Sequence, residues 1–310
     1  MKELLLMSLL FLRPLCSWSA DDALKVSDAQ IASGKLYVYN DFPTRLVAKR
    51  NVYVWIPDGY TENKKYDVLY MHDGQMLFDA STTWNHQEWQ VDENLSTLMK
   101  EGQIRDCIVV GVWNIPDIRF YDYFPQKTLK YMSADDYKAF DKDFNANKFD
   151  ADSYLQFLVD ELKPYIDQHF STLTGREHTF LMGSSMGGLI SLYGLCEYPD
   201  VFGGAACLSM HTPMITSNLT QRNIDIASSA FCKYVKAHLP KANSAKIYID
   251  YGDKTLDAYY APYQQKVDDI LYQAGWRTPY WTTNFYPGMS HSENDWARRL
   301  FVPLLFLLEK

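Results

Sequence analysis

Thr179-Phe180-Leu181-Met182-Gly183-Ser184-Ser185-Met186-Gly187-Gly188 decides the fold. The first four residues read as a short strand. Gly183 to Gly187 fit G-x-S-x-G, and the apolar run that follows reads as a helix from Ser185 to Tyr198, stopped by Pro199. Strand, tight turn and helix in that order describe a nucleophile elbow, in which a serine hydroxyl is raised above the end of a sheet. The turn is too tight for bulky neighbours, so small residues at Gly183 and Gly187 let the backbone pass close by, and Gly188 adds room. The helix start then aims backbone N–H groups, that of Met186 first, at any negative charge forming beside Ser185.

The same architecture extends outward on both sides. Gly34 to Asp41 and Val47 to Ile56 alternate and are rich in Tyr and Val, which predicts an antiparallel hairpin. Tyr66 to Met71 reads as a buried strand, and Cys107 to Trp113 is a continuous apolar run, as a strand covered on both faces requires. Trp89 to Met99 predicts a helix closed by Gly102. Further strands are expected at Val201–Ser209, Lys246–Tyr251 and Tyr280–Tyr286. Helices are expected at Ser153–His169, Tyr259–Ala274 and Asn294–Leu308. This alternation predicts an α/β fold: one domain over residues 21–310, with a mainly parallel, doubly wound sheet and an N-terminal antiparallel hairpin. Asn114 to Asp150 has no clean period and is dense in Tyr, Phe, Asp and Lys. A segment of that length without regular structure points to function.

A nucleophilic serine needs a base, and the base needs an acid to orient it. In this fold the chain order is Ser, acid, His. Of the seven histidines, only His211, His238 and His291 follow Ser185. His291 lies between the last strand and the last helix, where the base belongs. His238 sits in a Lys-rich helical stretch facing solvent. His211 follows a strand end and is expected at the pocket rim, shaping the site without transferring a proton. The acid should follow the Lys246–Tyr251 strand, where Asp253 and Asp257 both qualify; Asp257 is favoured and Asp253 is the reserve. The second oxyanion donor is expected in His72-Asp73-Gly74-Gln75, from the N–H of Gly74 or Gln75 paired with that of Met186. Trp113, Arg119 and Tyr123, with Trp84 and His211 opposite, are expected to form the leaving-group side, since rings stack on sugar or aryl groups and a guanidinium donates to hydroxyls.

Composition narrows the partners. The chain has 310 residues and a formal net charge of −8, with 47% apolar, 22% charged and 15% aromatic residues. These are globular values, and no basic stripe exists for nucleic acid. Residues 1–20 read as a signal peptide: Lys2, the apolar run Leu4 to Leu12, then small residues up to Ser19 and Ala20. That run is too short to span a membrane, so a periplasmic or secreted protein without a membrane span is expected. Beyond Cys16, Cys107, Cys196, Cys207 and Cys232 remain. Their apolar surroundings predict buried free thiols, although an even count in an exported chain also permits disulfides. None has metal-ligand spacing, so no metal is expected.

At this point the chain resembles the esterase family of α/β-hydrolases that includes esterase D, enterochelin esterases and family-one carbohydrate esterases. The resemblance is carried by Val54-Trp55-Ile56-Pro57-Asp58-Gly59-Tyr60, by Leu69 to Gln75 with Leu77-Phe78-Asp79, by Gly183 to Gly188, and by Gly288 to His291. Thr255-Leu256-Asp257-Ala258 with Pro262-Tyr263-Gln264 resembles a secreted bacterial branch. The resemblance implies nucleophile, acid and base on Ser185, Asp257 and His291. It also implies hydrolysis of carboxylic esters without metal or organic cofactor, on a small-molecule or saccharide ester carrying acetyl or feruloyl groups. Siderophore lactone hydrolysis or acyl transfer to a sugar is the alternative, and a carbohydrate-binding protein without activity is a third. Two positions depart from the family pattern: Met76, where relatives commonly carry Asn, and Asp253, where they carry a small polar residue.

Overall fold

The computed structural model describes residues 24–310, so the expected signal peptide lies outside the described residues. Nine strands form one sheet: β1 (Lys25–Val26), β2 (Lys35–Tyr39), β3 (Val52–Ile56), β4 (Asp67–His72), β5 (Cys107–Val112), β6 (Thr179–Ser184), β7 (Gly204–Leu208), β8 (Lys246–Tyr251) and β9 (Trp281–Phe285). Their spatial order is β1-β2-β3-β5-β4-β6-β7-β8-β9. The joints β1/β2, β2/β3 and β3/β5 are antiparallel and every other joint is parallel. The expected hairpin is β2 and β3, in register from Lys35 opposite Ile56 to Tyr39 opposite Val52.

Ten α-helices accompany the strands among the described residues: α1 (Val91–Lys100), α2 (Arg119–Tyr123), α3 (Ala134–Phe144), α4 (Ala151–Gln156), α5 (Lys163–His169), α6 (Met186–Glu197), α7 (Gln221–His238), α8 (Ala261–Gln273), α9 (Glu293–Arg299) and α10 (Phe301–Leu308). A π-helical stretch, Phe157–Leu162, joins α4 to α5. The central strands are buried on both faces, and successive residues divide between two cores. Val68 and Tyr70 pack with Leu189, Leu192 and Tyr193 of α6, whereas Leu69 and Met71 pack with Leu95 of α1 and Leu304 of α10. That division follows from the two-residue period of a strand, and it is why these strands read as unbroken apolar runs. No helix among the described residues is long and apolar enough to cross a membrane. Cys107, Cys196, Cys207 and Cys232 are all unpaired.

Two expectations are corrected. The single C-terminal helix is two, α9 and α10, because Pro303 has no N–H for an intrahelical bond and therefore sits in the first turn of a new helix. The segment Asn114–Asp150 is not irregular: it holds α2, α3 and the 3-10 turns Gln126–Tyr131 and Ala146–Lys148. Its elements are too short to show a helical period. They are pinned instead by rings, with Phe124 stacked on Phe149 at 4.3 Å and Phe140 on Phe144 at 4.5 Å. The buried ion pair from Arg50 Nη1 to Asp122 Oδ2, 3.0 Å, ties α2 to the start of β3.

The β6–α6 turn leaves no space for a side chain at its first glycine. A Cβ on Gly183 would lie 2.7 Å from the backbone carbonyl of Gly187. Gly183→Ala must push the strand and helix apart, and a loss of about 1–3 kcal/mol is expected from such overpacking. A urea unfolding midpoint unchanged from wild type would refute this close approach.

Candidate active site

Ser185 stands between β6 and α6 with φ 57° and ψ −122°, a conformation strained for any L-residue. The surrounding backbone holds it there. Its N–H donates to Leu208 O at 2.9 Å, and its carbonyl accepts from the N–H groups of Gly188 and His211, each at 3.1 Å. Met186 is the first residue of α6, so its N–H has no acceptor one turn back.

Asp257 and His291 come from loops after neighbouring strands, and the backbone fastens those loops together. The N–H groups of Asp253 and Lys254 donate to Met289 O at 3.1 and 3.0 Å, and His291 N donates to Thr255 Oγ1 at 2.8 Å. Gly252 is required at this crossing, since a Cβ there would lie 2.1 Å from Met289 O. The crossing sets His291 Nδ1 at 2.6 Å from Asp257 Oδ1. Of the two carboxylates left open by the sequence, Asp257 meets the histidine. Asp253 instead accepts the N–H of Gly288 at 2.8 Å, closing the turn whose φ is 83°. Burial pushes the Asp257 carboxyl up, but hydrogen bonds from His291, Ser209 and Gly252 outweigh it and hold the group below the ordinary carboxylate range. A carboxylate can only accept, so Nδ1 of His291 carries the hydrogen and Nε2 of the neutral ring is the acceptor.

Ser185 and His291 open into a cleft of about 840 Å³, lined also by Asp73, Gln75, Trp84 and Arg119. Trp84 stands at its rim, 82% exposed. The loop after β4 forms one wall. Asp73 has φ 58°, and Gly74 approaches β5 so closely that a Cβ would sit 2.4 Å from the Gly111 backbone. Met76 N–H donates to Asp73 O at 2.9 Å. Arg119 grips Asp73 with a two-pronged pair, Nε to Oδ1 and Nη2 to Oδ2, both 2.7 Å, and Asn114 Nδ2 adds a third bond at 2.6 Å. The Asn114 N–H also donates to Gln75 Oε1 at 3.1 Å. Burial pushes the Asp73 carboxyl up, but the Arg119 guanidinium and the Asn114 amide outweigh it, so it lies below the ordinary range.

The structure thus brings Ser185, His291, Gln75, Trp84 and Arg119 to the lining of one cleft, with Asp257 buried behind His291, Met186 at the start of α6 and Gly74 packed on β5, and it places three expected residues elsewhere. Tyr123 is fully buried beneath the loop, its hydroxyl accepting the Asp73 N–H at 3.3 Å. Trp113 packs edge-on against Tyr53, with centroids 5.2 Å apart. His211 is buried with both nitrogens engaged: Nε2 meets Ile215 O at 2.8 Å and Nδ1 meets the Tyr260 hydroxyl at 2.6 Å. Because the carbonyl only accepts, Nε2 bears the hydrogen and Tyr260 donates to Nδ1. Burial, with the adjacent charge of Arg119 adding to it, lowers His211 to about 4, which keeps it neutral. His72 is buried in the fold: Nδ1 meets the Tyr154 hydroxyl at 2.8 Å, and burial lowers it to about 4. Arg119 lines the cleft with its fork already committed to Asp73. Sequence reasoning missed Tyr260, whose hydroxyl donates to His211 Nδ1, as well as Asn114 and Trp296. None of them carries a local motif; each arrives through tertiary contact.

Strand, strained turn and helix stand here in the order of a nucleophile elbow, and the comparisons find an esterase family and the same fold. A family model described as "Putative esterase" matches residues 44–307, and the chain belongs to that family. An endo-1,4-beta-xylanase/feruloyl esterase of Xylanibacter ruminicola is 27% identical over 166 residues, covering 52% of this chain and 19% of that protein. Two Bacillus subtilis relatives are matched over 62% and 56% of their length, so the match spans only part of each. Among solved structures, a ferulic acid esterase from Anaeromyces mucronatus superposes with a TM-score of 0.60 at 19% identity, covering 94% of this chain and 96% of that one. An enterobactin esterase from Shigella flexneri gives 0.61 at 17% identity, covering 90% and 60%.

Arg119→Ala would leave Asp73 buried without its cation. Breaking such a pair costs about 3–5 kcal/mol, and that loss is expected in urea unfolding at neutral pH. The folded-state value of Asp73 lies below its unfolded value. Its contribution is therefore complete above the ordinary carboxylate range and disappears as pH falls through the folded value. The gap between wild type and variant should narrow on acidification. A gap independent of pH would show that the pair does not act through the charge of Asp73.

Proposed function

We propose that the protein is an exported carboxylic ester hydrolase acting on acylated saccharides. The observation that carries this reading is the strained Ser185 turn opening on the same cleft as a His291–Asp257 pair joined at 2.6 Å. Ser185 Oγ attacks the ester carbonyl carbon while His291 Nε2 takes its proton. The resulting oxyanion is met by the N–H of Met186 and by that of Gly74 or Gln75. The carbonyl re-forms, the alcohol leaves with the proton from His291, and water activated by the same ring releases the acid. Asp257 holds the tautomer and stabilises the imidazolium. Feruloyl or acetyl esters of plant polysaccharide are the substrate class supported by the feruloyl esterase relative and by the exposed Trp84 at the rim, a surface suited to a sugar face. Export is supported by the sequence of residues 1–20.

Ser185→Ala should reduce hydrolysis of p-nitrophenyl acetate and methyl ferulate by at least about a thousandfold. A fluorophosphonate should label wild type at Ser185; labelling at Ser184 would overturn the assignment. Asp257→Asn should cost about four orders of magnitude in kcat, and Asp253→Asn far less, because its amide oxygen still accepts the Gly288 N–H and only the ion pair with Lys254 is lost. The reverse order would make Asp253 the acid.

Trp84→Ala should weaken turnover of a feruloylated oligosaccharide while leaving p-nitrophenyl acetate almost unaffected, since only the larger ester reaches the rim. Equal losses on both would remove the rim from substrate binding.

A further inference from the structure

Behind Asp257 lies a buried polar chain that neither the family match nor the cleft assigns to the chemistry. Ser209 follows β7 and is fully buried, with φ 42°. Its Oγ has three neighbours: Trp296 Nε1 at 2.9 Å, Arg299 Nη2 at 2.9 Å and Asp257 Oδ2 at 2.6 Å. Indole and guanidinium nitrogens only donate. They occupy both lone pairs of the hydroxyl, so its single hydrogen has one remaining acceptor, Asp257. Arg299 is itself immobilised. It is buried, and its fork grips Asp250 through Nε to Oδ2 at 3.1 Å and Nη2 to Oδ1 at 2.9 Å. Asp250 is further held by the Tyr248 hydroxyl at 3.0 Å and by the Ser209 N–H at 2.9 Å.

We infer that Ser209 and Arg299 are positioning residues for the triad acid: Arg299 with Trp296 fixes the Ser209 hydroxyl, and that hydroxyl fixes the plane of the Asp257 carboxylate against His291. The inference rests on the proposed ester hydrolysis. Asp257 Oδ2 has one other donor, the Gly252 N–H at 2.7 Å. Without Ser209 the carboxylate can turn about its Cβ–Cγ bond and draw Oδ1 away from Nδ1. Charge points the same way. Asp250, Asp257 and Arg299 sum to one buried negative charge while His291 is neutral. When His291 receives the Ser185 proton, the charges of these four groups sum to zero.

The test is Ser209→Ala in the full chain, with p-nitrophenyl acetate and a fluorophosphonate as probes and wild type in parallel. A positioning role predicts a kcat at least about tenfold lower, KM within about twofold, and labelling of Ser185 slowed by the same factor as kcat. The proton resonance of the His291–Asp257 hydrogen bond should also move. A folded Ser209→Ala with wild-type kcat overturns the inference. If Ser209→Ala does not fold, Arg299→Lys decides. It keeps the charge but not the fork: a kcat reduced at constant KM supports the inference, and an unchanged kcat overturns it. A wild type that neither hydrolyses the ester nor reacts with the fluorophosphonate would instead refute the proposed function itself, a result separate from these.

Discussion

The contact on which the site depends is the backbone crossing of Gly183 and Gly187. Strand and helix meet there at a distance that excludes even a methyl group. The only path between them takes Ser185 through φ 57°, and that path lifts its side chain off the sheet. Strain of this kind costs about 1–3 kcal/mol and persists only where the surroundings leave no alternative. Here the alternative is denied by β7, which receives the Ser185 N–H at Leu208, and by the chain that follows, whose His211 N–H returns to the Ser185 carbonyl. Both neighbours are buried. The energy that holds the strained Ser185 turn therefore comes from apolar burial along the whole sheet.

The cleft has a second organising rule: each working loop is braced by the loop beside it. The turn after β4 is gripped by Asn114 and Arg119, from the segment after β5. The turn after β8 is sewn to the one after β9 through Met289 O. Such bracing needs adjacent parallel strands, whose ends open on the same side. It also explains how a wide cleft can hold a narrow geometry, since its walls are loops and its reactive groups are not free to follow loop motion.

The elbow, the strand sequence and the convergence of Ser185, Asp257 and His291 were legible because each is marked locally, by glycines, by unbroken apolar runs, or by position between strand and helix. The choice of Asp257 over Asp253 was less so, because it turns on which carboxylate faces across to the next loop, and four residues of separation say nothing about that. Tyr123 and Arg119 show the same limit. An aromatic-rich stretch beside an active site reads as a binding surface, yet most of its rings serve to hold short helices in place, and its arginine serves Asp73. Tyr260 had no signal, because its partners are distant in sequence.

The four unpaired thiols have a practical consequence. Burial raises Cys107, Cys196, Cys207 and Cys232 above the ordinary thiol range, so almost none is thiolate at neutral pH, and only the thiolate is reactive. These four are not cross-linked to one another. The thiols also lie at different depths, three buried and Cys232 partly open on α7. Their rates of alkylation would time the opening of separate parts of the molecule, giving an unmodified protein its own set of clocks for local and global unfolding.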